Sequence, residues 1–201
     1  MKPLLQIYVE GNISAGKSTL MDELAKDTRF SCFKEENGGR SPFLETFYKN
    51  MKVGSFALQT KILIDQLNYP SNPNTINVYE RSPISLLHIF GKLLYEDGLF
   101  DDHEFLLHVE MVEKFSSIPK IIIYIDTPTE ICYERKKVRR NAGTSDDMVP
   151  FKYMKELEKK HEDVMRIFAS KIKIIRIHHN YSIECVKDRI FNAIRSSSPI
   201  S

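Results

Sequence analysis

Apolar runs of strand length alternate with segments of helical periodicity along the whole chain. Residues 4–9 are a short apolar run that ends at a glycine and reads as a first strand; 17–25 read as a first helix. A weaker strand is predicted at 31–33 and helices at 43–51 and 55–67. A Pro/Asn/Ser loop at 70–75 leads into a short strand at 76–79. Further helices are predicted at 83–95 and 102–115, the second opened by an Asp101 and Glu104 pair that resembles a capping box. Residues 120–125 are a β-branched run that reads as a fully buried strand. Thr127, Pro128, Thr129 and Glu130 then combine a capping box with proline at the first helical position, predicting a helix to about Lys137. A long charged helix at 151–169, a strand at 172–177 and a helix at 182–195 follow, and the tail at 196–201 is expected to be loose.

Strands alternating with helices predict an α/β fold, with five parallel strands flanked by helices on both faces. Right-handed crossovers place a ligand at the carboxyl ends of the strands. There is no internal repeat and no low-complexity linker, so residues 1–201 read as a single domain.

Composition narrows the picture modestly. The 201 residues are 42% hydrophobic, enough for an ordinary core, and the net charge of +2 gives no field that argues for nucleic acid as a partner. No apolar run reaches the length of a membrane span. The first strand begins by Leu4, leaving no room for a signal or transit peptide, and Cys32, Cys132 and Cys185 form neither a metal nor a disulfide pattern. A cytoplasmic protein is the expectation.

The chemistry is concentrated between the first strand and first helix. Gly11, Asn12, Ile13, Ser14, Ala15, Gly16, Lys17, Ser18 and Thr19 carry the spacing of a phosphate-binding P-loop. Small residues let backbone N–H groups wrap a polyphosphate at a helix N-terminus, where unpaired amides and the helix dipole favour negative charge. Lys17 is expected to reach the β- and γ-phosphates, and the Ser18 hydroxyl to ligate Mg²⁺.

Four other features are weaker alone. Glu35 and Glu36 follow the second apolar run and could take a proton from a hydroxyl, although a solvated acidic loop is the plainer reading. Glu80-Arg81-Ser82 ends the strand at 76–79; a carboxylate there can hold Mg²⁺ and an arginine can neutralise phosphate. Gln59 and Gln66 lie two helical turns apart, beside Ile62, and a glutamine can pair bidentately with a base edge. Arg135, Lys136, Lys137, Arg139 and Arg140 form a basic helix end before a small-residue segment; this is either a solvated charge run or a lid over phosphates. Tyr48, Phe90 and Tyr153 read as core aromatics, and His178 and His179 have no assigned role.

Together these residues resemble one family. Glu10 through Thr19, Lys34-Glu35-Glu36, Tyr48-Lys49 with Gln59 eleven residues after the tyrosine, Glu80-Arg81-Ser82, Ile123-Tyr124-Ile125, Tyr133-Glu134-Arg135, Val149-Pro150-Phe151-Lys152-Tyr153 and His161-Glu162-Asp163 are similar, in order and spacing, to the deoxynucleoside kinases. The resemblance covers residues 4–168 and implies a P-loop kinase fold with a basic lid at about 135–148.

It implies roles as well. Glu35 looks like the base for the deoxyribose 5′-hydroxyl, Arg81 like the arginine that touches this hydroxyl and the incoming phosphate, and Glu80 like a group that helps to place Mg²⁺. Gln59 is similar to the base-pairing residue and Phe90 to the ring that stacks on the base; Tyr48 and Asp146 match positions that hold the 3′-hydroxyl. Arg135, Lys137, Arg139 and Arg140 resemble the lid cations that meet ATP. The family's tryptophan five residues after the catalytic glutamate is replaced by Arg40. Members that favour deoxycytidine or purines carry an arginine and an aspartate where this chain has Gln66 and Leu86. The resemblance therefore implies an ATP-dependent pyrimidine deoxynucleoside kinase, thymidine among its substrates, acting in nucleotide salvage as a homodimer. The helices at 83–95 and 102–115 are the pairing candidates, although Leu86, Ile89, Phe90 and Leu93 could equally be core. Two rival readings are a nucleoside-monophosphate kinase of thymidylate type and an inactive, kinase-like structural or nucleotide-sensing subunit.

Overall fold

A computed structural model describes residues 5–35, 41–140 and 149–197, with the side chains of 139, 140 and 197 outside the description. Five strands, β1 (Gln6–Glu10), β2 (Phe30–Phe33), β3 (Ile76–Glu80), β4 (Ile121–Asp126) and β5 (Lys173–His178), form one sheet in the order β2-β3-β1-β4-β5. Every pairing is parallel; Val9 of the central strand lies between Glu80 and Ile123. The chain leaves β1 toward β2 and β3 on one side and passes only later to β4 and β5 on the other. This switch opens a crevice at the carboxyl end of β1.

The alternation of side chains along β4 explains its unbroken run of apolar residues. Ile121, Ile123 and Ile125 face α1 (Lys17–Ala25), through Leu20, Met21 and Leu24, and α9 (Ile183–Ser197), through Val186 and Ile190. Ile122 and Tyr124 face the opposite layer, where Ile89 and Leu93 meet Leu157, Val164 and Met165 of α8 (Phe151–Phe168). Both faces are covered, as the sequence predicts.

Four local readings need correction. The helix α3 (Met51–Leu67) begins four residues early, close after α2 (Pro42–Lys49), because the Asn50 side chain accepts from Val53 N and caps it. The predicted helix at 83–95 is not uniform: α4 (Pro83–Ser85) and α5 (Lys92–Glu96) flank a π-helical turn, Leu86–Gly91. His108, on α6 (Asp102–Phe115), donates through Nε2 to the Leu86 carbonyl at 3.3 Å. A Cβ on Gly91 would stand 2.8 Å from that ring, so glycine lets α6 approach. Thr127 does not cap α7 (Thr129–Arg140): its hydroxyl donates to Ala15 O at 2.9 Å, and Glu158 of α8 accepts from Thr129 N instead. Finally, α9 continues to Ser197, two residues into the segment expected to be loose. The Asp101 capping box forms in both directions, at 2.8 Å each.

Leu86, Ile89 and Leu93 are buried within the chain, whereas Leu106 and Leu107 of α6 are exposed. No helix among the described residues is long and apolar enough to cross a membrane.

Candidate active site

β1 delivers the chain directly into the loop at 11–16. Gly11 has φ +147°, and a Cβ there would lie 2.9 Å from Ile125 O, so only glycine serves. Ser14 (φ 60°) and Gly16 (φ 107°), the N-cap of α1, complete the curl. The loop is tied from behind. Asn12 Nδ2 donates to Met154 O at 2.9 Å and Thr129 Oγ1 at 3.3 Å, and Arg135 Nη1 joins Thr127 on Ala15 O, at 3.1 Å.

Lys17, 5% exposed, folds back so that its ammonium donates to Gly11 O and Asn12 O at 3.2 and 3.0 Å, and it stands 4.0 Å from Glu80. Burial and the Arg81 charge bring its pKa down to about 8, against the pull of Glu80, Glu35 and Glu10. Lys17 is the first residue of α1 and Ser18 the second.

The opposite wall begins where β3 ends. Arg81 adopts φ +62°, a left-handed conformation rare for residues with a Cβ. Its amide donates to Val9 O at 3.0 Å. Its Nε donates to Glu35 Oε2 at 3.3 Å, and its guanidinium carbon sits 4.5 Å from the Phe90 ring centroid. Burial opposes the charge of Arg81, but Glu35, Glu10 and Glu80 outweigh burial and its pKa is raised. The next residue, Ser82, gives both its amide and its hydroxyl to the Glu10 carboxylate, at 2.7 and 2.6 Å.

Beyond this pair lies a cavity of about 290 Å³, lined by Glu35, Tyr48, Gln59, Ile62, Gln66, Arg81, Leu86, Phe90 and Tyr153, among others. Gln59 is 4% exposed, and the side-chain oxygens of both Gln59 and Gln66 are buried without a hydrogen-bond partner among the described residues. A buried amide oxygen without a donor favours a guest that supplies one. Phe90 is backed edge-on by His161, whose ring also stacks on Tyr124. His161 Nδ1 donates to Leu157 O at 2.7 Å, and burial brings its pKa down to about 3.

The fold therefore brings together Glu35, Tyr48, Gln59, Ile62, Gln66, Arg81, Leu86 and Phe90 in one cavity, which Ile13 of the P-loop also lines, whereas Lys17, Ser18 and Glu80 are outside its lining. Tyr48 and Phe90, core aromatics on sequence pattern alone, are cavity walls. Arg135 reaches the P-loop, whereas Lys137 is exposed and pairs with Glu134 at 2.7 Å. Lys136, on the same helix, is buried and donates to Val149 O. Arg139 and Arg140 lie on α7 with side chains outside the described residues; Glu36, Arg40 and Asp146 lie wholly outside them.

Sequence reasoning missed Tyr153, Met51, Leu44 and Asp97, which also line the cavity. Only Tyr153 carried a signal, its place after Val149-Pro150. The contact of Glu10 with Ser82 was not foreseen either, because Glu10 reads as the last residue before a loop.

A family model described as deoxynucleoside kinase matches residues 7–198. The chain is 33% identical over 170 residues to a probable deoxycytidine kinase of fowlpox virus (strain NVSL), covering 78% of this chain and 70% of that one. It is 27% identical over 183 residues to a deoxyadenosine kinase of Dictyostelium discoideum, covering 86% and 71%. In fold it is similar to a deoxyadenosine kinase from M. mycoides, with a TM-score of 0.74 at 22% identity over 96% of this chain and all of the other. A P-loop kinase sheet and a family match over nearly its whole length show that the chain belongs to the deoxynucleoside kinase family, whose reaction is ATP-dependent phosphoryl transfer to a deoxynucleoside.

Proposed function

We propose that the chain transfers the γ-phosphoryl of ATP to the 5′-hydroxyl of a pyrimidine deoxynucleoside, thymidine included. The observation that carries this reading is the Arg81–Glu35 pair, at 3.3 Å, placed between Lys17 and Glu80 on one side and a base-sized cavity on the other. The carboxylate accepts the proton of the hydroxyl as it attacks, and the guanidinium neutralises charge on the transferring group. Phe90 offers the base a stacking face held by Arg81 and His161. Gln59 offers the base edge both a donor and an acceptor. Tyr48 lines the cavity, and in this reading it meets the sugar. Asp146, its partner on the 3′-hydroxyl in this reading, lies outside the described residues.

Selectivity for pyrimidines rests on the neutral wall. Gln66 and Leu86 line the cavity and bring no ion pair to it, so those two positions give an amino-substituted ring, cytosine included, no charge-assisted bond, and thymine is the base this wall suits. The relatives with printed substrates span deoxycytidine, deoxyadenosine, deoxyguanosine and thymidine, so the family alone does not choose.

The donor set suits Mg²⁺: Ser18 and Glu80 supply hard oxygens beside the loop that would carry the phosphates. When bound, the ion would be held through Ser18 and Glu80 and would neutralise charge developing on the phosphates. The exposed Leu106 and Leu107 of α6 support pairing with a second copy, which light scattering would report as a dimer mass.

The test is an acceptor comparison with ATP and Mg²⁺. Turnover of thymidine with none of thymidylate supports the reading. Turnover of thymidylate alone would make the chain a monophosphate kinase, and ATP binding with no acceptor turned over would make it a sensing subunit. Strong use of deoxyadenosine or deoxyguanosine with negligible thymidine turnover would overturn the pyrimidine assignment.

A further inference from the structure

A buried acid outside the assigned chemistry stands directly in front of the P-loop. Glu10 is 0% exposed at the end of β1, and one of its oxygens takes two bonds from Ser82, the amide at 2.7 Å and the hydroxyl at 2.6 Å. The neighbouring Val9 carbonyl takes the amide of Arg81 at 3.0 Å. One step of the central strand thus grips both residues that follow β3. The residue gripped between them has φ +62°, and an arginine does not hold that conformation unless its surroundings over-determine it. The Ser82 hydroxyl is engaged on both sides, since it donates to Glu10 and also accepts from Ser85 N at 3.3 Å to cap the next helix. An apolar residue would fill the end of β1 at lower cost, because burial disfavours a carboxylate. Burial does push the Glu10 pKa up, against the Ser82 hydroxyl and the Arg81 charge.

We propose that Glu10 is a positioning residue: its carboxyl group fixes the left-handed turn at Arg81 and so holds the guanidinium between Glu35 and Phe90, tying the strand that enters the P-loop to the acceptor end of the site. This rests on the kinase reading above, in which Arg81 meets the reacting groups. Released from Ser82, the turn relaxes toward ordinary backbone, and the Nε bond to Glu35 is lost with it. A neutral side chain with an acceptor oxygen at the same reach is sufficient for the grip, so glutamine substitutes and alanine does not.

The test is a double-mutant cycle with a spectroscopic arm. E10A lowers kcat for thymidine about ten- to a hundredfold while the nucleoside Kd stays within about threefold, and E10Q recovers kcat to within about threefold of the unchanged protein. In an R81A background, E10A costs less than about twofold. The ¹H–¹⁵N signal of Arg81 Nε–H, assigned by its loss in R81K, is protected in the unchanged protein and in E10Q and is lost in E10A. An E10A protein that keeps kcat and this signal overturns the proposal; so does an equal loss in both backgrounds, which would mean that Glu10 acts other than through Arg81. Should E10A not fold, E10D, which draws the oxygens back by one methylene, takes its place in the same cycle. Absence of turnover by the unchanged protein would refute the kinase reading, and the Nε–H signal would still decide whether Glu10 holds Arg81.

Discussion

Replacing Gln59 by leucine separates binding from stability in a way that few site mutations do. The side chain is 4% exposed, and its oxygen is buried with no hydrogen-bond partner among the described residues. Leucine reaches as far as the amide carbon and removes both the amide and its unmet acceptor. An unsatisfied buried polar group costs about 1–3 kcal/mol. The ligand-free variant is therefore expected to gain about 1 kcal/mol, which for a chain of this size raises Tm by roughly 2–4 °C. Nucleoside binding moves the other way. The base edge loses its donor and acceptor pair, about 1–3 kcal/mol, or roughly 5- to 150-fold in Kd. Calorimetric melting of the free protein and isothermal titration with thymidine measure the two halves. Opposite signs are the signature, since a variant damaged in its packing loses both stability and affinity. A Kd within about twofold of the unchanged protein would refute the assignment of Gln59 to the base edge, whatever happens to Tm.

Three further expectations follow from the same geometry. Glu35→Gln lowers kcat about 10²- to 10⁴-fold with the nucleoside Kd preserved; a kcat within about threefold of the unchanged protein removes Glu35 from the chemistry. Arg81→Ala and Arg81→Gly lose activity alike, but the glycine variant is more stable than the alanine variant by about 1 kcal/mol, because only it adopts φ +62° freely; equal melting temperatures would contradict the strain at this turn. His161 is neutral in the fold, with a pKa held down to about 3, while the unfolded chain takes up a proton near 6.5. Its contribution is complete above about 6.5 and falls by about 1.4 kcal/mol per unit as the pH drops from there toward 3, and in His161→Phe denaturant titrations at pH 5 and pH 7 should show a shallower slope.

What the sequence disclosed and what it concealed divide along the range of the interactions. The P-loop was legible because its constraint is local: Gly11, Gly16 and Lys17 are fixed by spacing within one turn of chain. Gln59 and Gln66 were legible because helical period alone puts two amides on one side. The role of Thr127 was not, since its hydroxyl serves Ala15, 112 residues away, rather than the amides of its own helix. The π-turn was equally hidden; its carbonyl at Leu86 is met by His108, and no pattern within 83–95 announces a residue on another helix. The cavity walls Leu44, Met51 and Asp97 come from segments with no shared periodicity, and only the fold assembles them. Glu10 was overlooked for a related reason. Its partner Ser82 lies 72 residues on, although both belong to stretches that the family resemblance had already singled out.

The central claim is that one sheet aligns a carboxylate, an arginine and a phosphate loop on the 5′-hydroxyl of a pyrimidine deoxynucleoside. It is tested most directly by supplying the purified chain with γ-labelled ATP, Mg²⁺ and each of the four deoxynucleosides, then separating the products. Label on the 5′-position of thymidine monophosphate, with purine products in the minority, is the predicted result. No labelled monophosphate from any of the four would contradict the account.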